Sequence, residues 1–380
     1  MNTPFSRGMA RATELTQAAK LDEATALIQS LLNGTPAPDA QSVDPQALEG
    51  TFTRLDDSAP RAAAPATKPM RQGLGETLRN IAAGGMPLHN MTQSGHIDLP
   101  TGAQFLSLSH RGAHGSRDYR LYIPAAATPN PMPLVVMLHG CTQSPEDFAI
   151  GTGMNTLAEE FGCIIAYPAQ PQGANAQKCW NWFRPEDQRQ GQGEPALIAG
   201  MIGDILRAHP ADPARVYAAG LSAGGAAAAI LGAAYPDLFA AVGVHSGLPV
   251  GAAQDVPQAF AAMRSGANGK GRSLGAPAIV FHGLADSTVH PDNGKAVTGQ
   301  ALRAHTGLTE KRVSGTSGGG RVYRQTRYAK ACGLSMAEHW EIEGAGHAWA
   351  GGAAGGSYTD PKGPDASREM LRFFLQHKQA

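Results

Sequence analysis

The chain has few cysteines, no surplus of either charge and no long apolar run. Its four cysteines in 380 residues, Cys141, Cys163, Cys179 and Cys332, are too few for a disulfide-built scaffold, and none stands in the C-x-x-C spacing of a metal site. The 31 basic and 31 acidic side chains cancel. No bulk field therefore draws in nucleic acid or an anionic membrane, which points to a neutral or small-molecule partner. No stretch approaches the roughly eighteen apolar residues that a membrane span requires. The opening "MNTPFSRGMARATELTQAAK" lacks the apolar core of a secretory signal. A Walker-type phosphate loop, a G-x-G-x-x-G after a strand and an H-E-x-x-H are missing too, so no metal or cofactor is expected.

What is present reads as a globular protein, 42% hydrophobic and 16% charged, with one main domain and an attachment. Over residues 1–33, Met9, Ala12, Leu15, Ala19, Ala24, Leu27, Ile28 and Leu31 recur at mostly helical intervals. They predict an amphipathic helical segment. Residues 34–95 are rich in Pro and Ala, with Pro36, Pro38, Pro45, Pro60, Pro65 and Pro69, and read as a linker, partly disordered.

From residue 96 to 380 short apolar runs alternate with helical stretches. "AQFLSLSHRG" and "RDYRLYIP" predict an antiparallel pair, and "PLVVMLHG", "CIIAYPA", "RVYAAGLS", "AAVGVHSG", "PAIVFHG" and "HWEIEGAG" follow as strands. Helices are expected at "MNTLAEEFG", "PALIAGMIGDILRAH", "GGAAAAILGAAYP", "HPDNGKAVTGQALRAH" and "DASREMLRFFLQH". This alternation predicts an α/β fold, a mostly parallel sheet with helices on both faces. Ligands of such sheets bind beyond the carboxyl ends of the strands.

With 47 glycines in the chain, the G-x-S-x-G around Ser222 says little by itself. Its context says more: Ser222 stands between a strand ending at Leu221 and a helix opening at Ala223, as a nucleophile elbow requires. A serine hydroxyl attacks only when a base takes its proton, so a histidine and a group to orient it must follow. Asp286 lies just after the strand that ends at His282. His347 lies in the glycine-rich loop after "HWEIEG", which gives the order Ser…Asp…His with each residue at a strand's carboxyl end. The rivals fit less well. His282 and His290 flank Asp286 itself, His245 in "VHSG" has no acid after it, and Asp292 reads as the start of a helix. After "VVMLHG" the N–H of Cys141 can face an oxyanion together with the N–H of Ala223. Cys141 is also placed to pair with Cys179 in "QKCWNWF", an ordinary buried thiol being the alternative. Trp180, Trp182 and Trp349 are three of only four tryptophans and are expected to line the substrate cleft.

Together "LHGCTQ", "CWNWF", "GEPALIAGMI", "VYAAGLSAGG", "HGLADSTVHPDN" and "GAGHAWAGG" resemble the polyhydroxybutyrate depolymerase family of esterases, relatives of the feruloyl and acetylxylan esterases within the α/β-hydrolase fold. The resemblance covers about residues 100 to 378. It implies that Ser222 is the nucleophile, Asp286 the acid, His347 the base and Cys141 the oxyanion donor. The implied substrates are short-chain polyhydroxyalkanoates, their oligomers or related small esters. The family's frequent setting is the extracellular region, whereas the missing signal keeps a cytoplasmic location open. A feruloyl or acetylxylan-type carboxylesterase is the alternative activity. A non-catalytic binding protein of the same fold is a third reading, opposed by the intact triad. The oligomeric state is not legible.

Overall fold

The computed structural model describes residues 97–125, 130–267 and 271–379. The helical segment expected over 1–33 and the linker expected over 34–95 lie outside the described residues.

Two strands, β1 (Gln104–Gly112) and β2 (Gly115–Ile123), form the expected hairpin, and β3 (Met132–Leu138) begins the parallel part. Two short helices, α1 (Pro145–Thr152) and α2 (Met154–Phe161), lead to β4 (Ile164–Pro168). A 3₁₀ turn (Pro185–Gln188) and α3 (Gly193–Ala208) precede β5 (Ala211–Leu221), α4 (Ala223–Ala234) and β6 (Ala241–His245). Then come α5 (Val256–Ser265), β7 (Ala278–Gly283), α6 (Asp292–Leu302), β8 (Thr309–Thr316), β9 (Val322–Ala329) and β10 (Ser335–Ile342). Two two-residue strands, β11 (Trp349–Ala350) and β12 (Thr359–Asp360), and helix α7 (Ala366–Phe374) complete the described chain.

The main sheet has ten strands in the order β1-β2-β4-β3-β5-β6-β7-β10-β9-β8. The contacts β4–β3–β5–β6–β7–β10 are parallel, and the two margins are antiparallel. Strand β3 shows why both faces are covered, since all seven of its residues are buried. Leu134, Val136 and Leu138 point into one core with α3, α4, α5 and α6; Val135 and Met137 point into the other with α1, α2 and α7. Helix α4 is almost wholly alanine and glycine, and most of it is buried, so it lies close on the sheet beside Ser222.

The hairpin β8–β9 was not expected from the sequence. "TEKRVSGT" is exposed along nearly its whole length and carries no apolar alternation to read. Its charges Lys311 and Arg312 suit an edge strand that must not recruit another. The helices α1 and α5 also escape a periodicity reading, because the buried set of α1 includes Gly151 and Thr152, which do not read as apolar, and α5 buries only Ala259 and Ala262.

Three fully or nearly buried histidines lie in or just beyond strands: His139 follows β3, His245 ends β6 and His339 sits within β10. Burial pushes His139 down to about 4 and His245 and His339 down to about 3, so all three stay neutral in the folded protein. The unfolded chain binds protons at these positions below its ordinary value near 6.5, while the fold refuses them until about pH 4 or 3. Stability must therefore fall as pH drops through that window, by about 1.4 kcal/mol per pH unit for each histidine. Urea midpoints measured from pH 8 to pH 4 should hold level above about 7 and decline below about 6.5, ahead of the carboxylate range. A midpoint unchanged between pH 7 and pH 5 would contradict this reading.

Candidate active site

Strand β5 enters a sharp turn at Gly220-Leu221-Ser222 because its end is squeezed against α4 and the end of β3. A Cβ on Gly224 would stand 2.0 Å from the Leu138 carbonyl oxygen, and one on Gly220 would stand 2.3 Å from the Gly224 carbonyl group. Only glycine fits at either position. Ser222 absorbs the turn with φ 58° and ψ −119°, a conformation an L-residue adopts at a cost on the order of 1–3 kcal/mol. Its N–H is held by the His245 carbonyl at 2.9 Å.

The loops after β7 and β10 are tied to each other by the main chain. Leu284 N–H donates to the Ile342 carbonyl and Ala285 N–H to the Ala345 carbonyl, each at 2.9 Å. Between them His347 Nδ1 donates to Asp286 Oδ2 at 2.8 Å. Asp286 Oδ1 accepts the N–H groups of Thr288 and Val289, both at 2.9 Å. Burial opposes the charge of Asp286, but the His347 hydrogen bond and charge, the His282 ring and the Val289 N–H together hold its carboxyl below the ordinary value. Asp292, the rival acid, is exposed and paired with Lys295 at 2.8 Å, away from His347. Ser222 Oγ makes no hydrogen bond to His347, whose Nδ1 is held by Asp286; serine–histidine contacts of this kind commonly tighten only around substrate.

Cys141 and Cys179 are joined by a disulfide. His139 Nδ1 donates to the Gly140 carbonyl at 2.7 Å, its Nε2 accepts the Gln170 N–H at 3.1 Å, and Trp180 Nε1 donates to the His139 carbonyl at 3.1 Å. Gln170 and Asn181 in turn donate to the buried carboxylate of Glu194, and Arg117 donates to Gln170 Oε1 at 2.6 Å. The loop around Cys141 thus rests on a buried polar network in which Arg117 Nε alone is left without a partner. The N–H groups of Cys141 and Ala223 take no protein acceptor among the described residues; Ala223 directly follows Ser222, and a Cβ on Gly140, next to Cys141, would stand 3.6 Å from the Leu221 carbonyl oxygen.

The tryptophans require a correction. Trp180, Trp182 and Trp349 are 0%, 6% and 1% exposed, so they do not form the walls of an open cleft. Indole fits inside here because internal partners satisfy it: Trp180 uses the His139 carbonyl, and Trp349 Nε1 donates to Ser367 Oγ at 3.0 Å. Trp182 packs edge-on against Phe183.

Several site residues were not singled out from the sequence. Among the described residues, the non-glycine positions with positive φ are Thr142, Lys178, Ser222, Ser246 and Tyr358. Each is Ser222 itself or lies on a loop that frames it. Thr142 and Lys178 adjoin the disulfide, Ser246 follows His245, and Tyr358 Oη meets Thr142 Oγ1 at 3.3 Å. Strain of this kind collects where function over-determines the backbone. Local residue type gives no hint of it, since none of the five is glycine or asparagine.

His245 deserves mention for its geometry. Its ring is stacked on Phe281 and on Trp349, and its Nε2 accepts the Ala350 N–H at 3.0 Å. One residue therefore holds both the Ser222 amide and the segment three residues past His347. His245→Phe would keep a stacked ring but orphan the Ala350 N–H, an unsatisfied buried donor costing about 1–3 kcal/mol. Turnover should fall roughly tenfold or more with KM little changed, and His245→Gln, which restores an acceptor, should recover part of it. A Phe variant with wild-type kcat would remove His245 from this role.

Among the described residues no group of three or more His, Cys, Asp or Glu is placed to hold a metal ion, and no helix is long and apolar enough to cross a membrane.

Ser222, Asp286 and His347 thus stand just after the carboxyl ends of β5, β7 and β10 of one α/β sheet. The family model described as "Esterase PHB depolymerase" matches residues 117–325, more than half of the chain, and the chain belongs to that family. Poly(3-hydroxyalkanoate) depolymerase C of Paucimonas lemoignei is 34% identical over 240 residues, 60% of this chain and 57% of the relative. Feruloyl esterase B of Thermothelomyces thermophilus is also 34% identical, over 191 residues, covering 45% of this chain and 64% of that one. The chain thus spans somewhat over half the length of these relatives. An acetyl xylan esterase from Aspergillus awamori shares the fold, with a TM-score of 0.55 at 19% identity over 72% of this chain and 99% of that one.

Proposed function

We propose that the protein is a serine esterase that cleaves esters of short-chain hydroxyalkanoates, poly(3-hydroxybutyrate) or its oligomers, through an acyl-enzyme on Ser222. The observation that carries the reading is the 2.8 Å contact of His347 Nδ1 with buried Asp286, across from a serine held at a strained strand–helix turn.

In this reading His347 takes the Ser222 proton through Nε2 as Oγ attacks the ester carbonyl, and then gives it to the leaving alcohol. Asp286 fixes the tautomer and stabilises the imidazolium. The N–H groups of Cys141 and Ala223 receive the oxyanion, an interaction worth roughly 3 kcal/mol per donor in comparable sites. Water then enters by the same route and releases the hydroxy acid. No cofactor is required. The Cys141–Cys179 disulfide fits an oxidising setting, and we assign the protein to the extracellular region on that ground.

Feruloyl and acetylxylan esters are the competing substrates, because relatives of both names match the chain. The depolymerase relatives, which match over the longer stretches of the chain, favour the aliphatic acyl group. Competition kinetics should give kcat/KM for 3-hydroxybutyrate trimer about tenfold or more above methyl ferulate. A tenfold advantage for ferulate would transfer the enzyme to the feruloyl esterase reading. Independently, Asp286→Asn should lower kcat by about four orders of magnitude with the fold retained, while Asp292→Asn leaves it near wild type. Equal losses would mean that the acid is misassigned.

A further inference from the structure

Two adjoining grooves run along the loop that carries Cys179. The first, 570 Å³, is lined by Gln172–Gln177, Phe183, Arg184, Asp255 and Val256. Its wall reaches the oxyanion loop directly, since the Gln177 carbonyl accepts the Thr142 N–H at 2.7 Å, next to Cys141. The second groove, 310 Å³, continues between the 3₁₀ turn and the segment after β6, and is lined by Gln188, Arg189, Gln254 and Arg272 among others.

The charges along this trough are one-sided, although the chain as a whole carries none in excess. Arg184, Arg189 and Arg272 line it, and the one lining carboxylate, Asp255, is already engaged. Both Asp255 oxygens cap α5, accepting the Gln258 N–H at 2.7 Å and Gln258 Nε2 at 2.9 Å. The neighbouring Asp187 is turned inward, where its Oδ1 accepts the Glu194 N–H at 2.8 Å. Arg272 is held across the floor by the Gln188 carbonyl, and Gln188 Nε2 donates to the Ala253 carbonyl at 2.8 Å. Arg184 and Arg189 make no ion pair among the described residues. The end nearest the oxyanion loop offers apolar contact, through Phe183 and the exposed Val256. The far end offers guanidinium groups, whose planar donors match a carboxylate.

We infer that the second groove is a carboxylate subsite, in which Arg189 and Arg272 bind the free-acid end of a hydroxyalkanoate oligomer whose ester lies over Ser222. The inference rests on the proposed esterase activity and narrows its substrate. Ester units inside a polymer are neutral, so only a chain end carries the charge that these arginines recognise. The subsite thereby selects short free-acid oligomers over their esterified or polymeric counterparts.

The test compares 3-hydroxybutyrate trimer as the free acid with its methyl ester, in the wild type, Arg189→Gln and Arg272→Gln. Arg189 is exposed and makes no side-chain hydrogen bond or ion pair among the described residues, so Arg189→Gln guards against a variant that merely unfolds. The wild-type kcat/KM ratio of acid to ester should be about tenfold or more at low salt, and should shrink as salt screens the pair. In either variant the ratio should fall towards one. Calorimetry with Ser222→Ala supplies a readout independent of turnover, with the acid binding about tenfold tighter than the ester and the advantage lost on adding Arg189→Gln. Equal turnover of acid and ester by the wild type, or a ratio that survives both substitutions, overturns the subsite and leaves the esterase reading standing. If the wild type hydrolyses neither trimer, the proposed substrate fails; the Ser222→Ala calorimetry then decides the subsite, and equal binding of acid and ester overturns it.

Discussion

Strand β5 and helix α4 pass the end of β3 so closely that no side chain fits at Gly220 or Gly224. That backbone contact fixes where Ser222 turns, and the turn fixes everything around it. Because the serine amide is spent on the His245 carbonyl, the end of β6 is locked beside the end of β5. The imidazole of the same His245 reaches the Ala350 amide and so holds the loop that bears His347. A larger residue at either glycine would move Ser222, the strand end beside it and the loop that bears His347 together. The close approach is tolerated because α4 presents alanine and glycine to the sheet, giving up side-chain burial for proximity.

Around this centre the loops are stitched into a ring. The β7 and β10 loops exchange main-chain hydrogen bonds, and Trp349 N–H donates to the Tyr358 carbonyl at 2.7 Å. Tyr358 meets Thr142, Thr142 adjoins Cys141, and the disulfide passes the connection to Cys179. Beneath the ring lie groups that would be costly if unpaired, chiefly Glu194, whose burial raises its carboxyl above the ordinary value. Gln170, Asn181 and the nearby Arg117 answer that cost. The site is thus held in place by hydrogen-bonded polar groups under its loops as well as by the sheet.

Much of this was legible in the sequence, and the reasons for what was not are physical. The buried parallel strands stand out as apolar runs, and Ser222, Asp286 and His347 each follow the carboxyl end of such a run. Strand β8 left no such mark, because an exposed edge strand buries no face and shows no alternation. The tryptophans misled for a different reason. Their loop positions suggested a surface, yet a carbonyl and a hydroxyl inside the protein satisfy the indole N–H groups of Trp180 and Trp349, and full burial follows. The strained residues Thr142, Lys178, Ser246 and Tyr358 are invisible to residue-type reasoning, since tertiary contacts rather than local preference hold them at positive φ. The role of His245 was hidden in the same way: it ends a strand with no acid after it, and only the fold brings Ala350 to its ring.

The central claim is that the strained turn exists to present one reactive oxygen to a histidine held by Asp286. A fluorophosphonate probe, followed by peptide mass mapping, tests it most directly. The account predicts a single modified residue, Ser222, with labelling abolished in Ser222→Ala at an unchanged thermal transition. Modification at another serine, or hydrolytic activity in Ser222→Ala above about one part in a thousand of wild type, would contradict it.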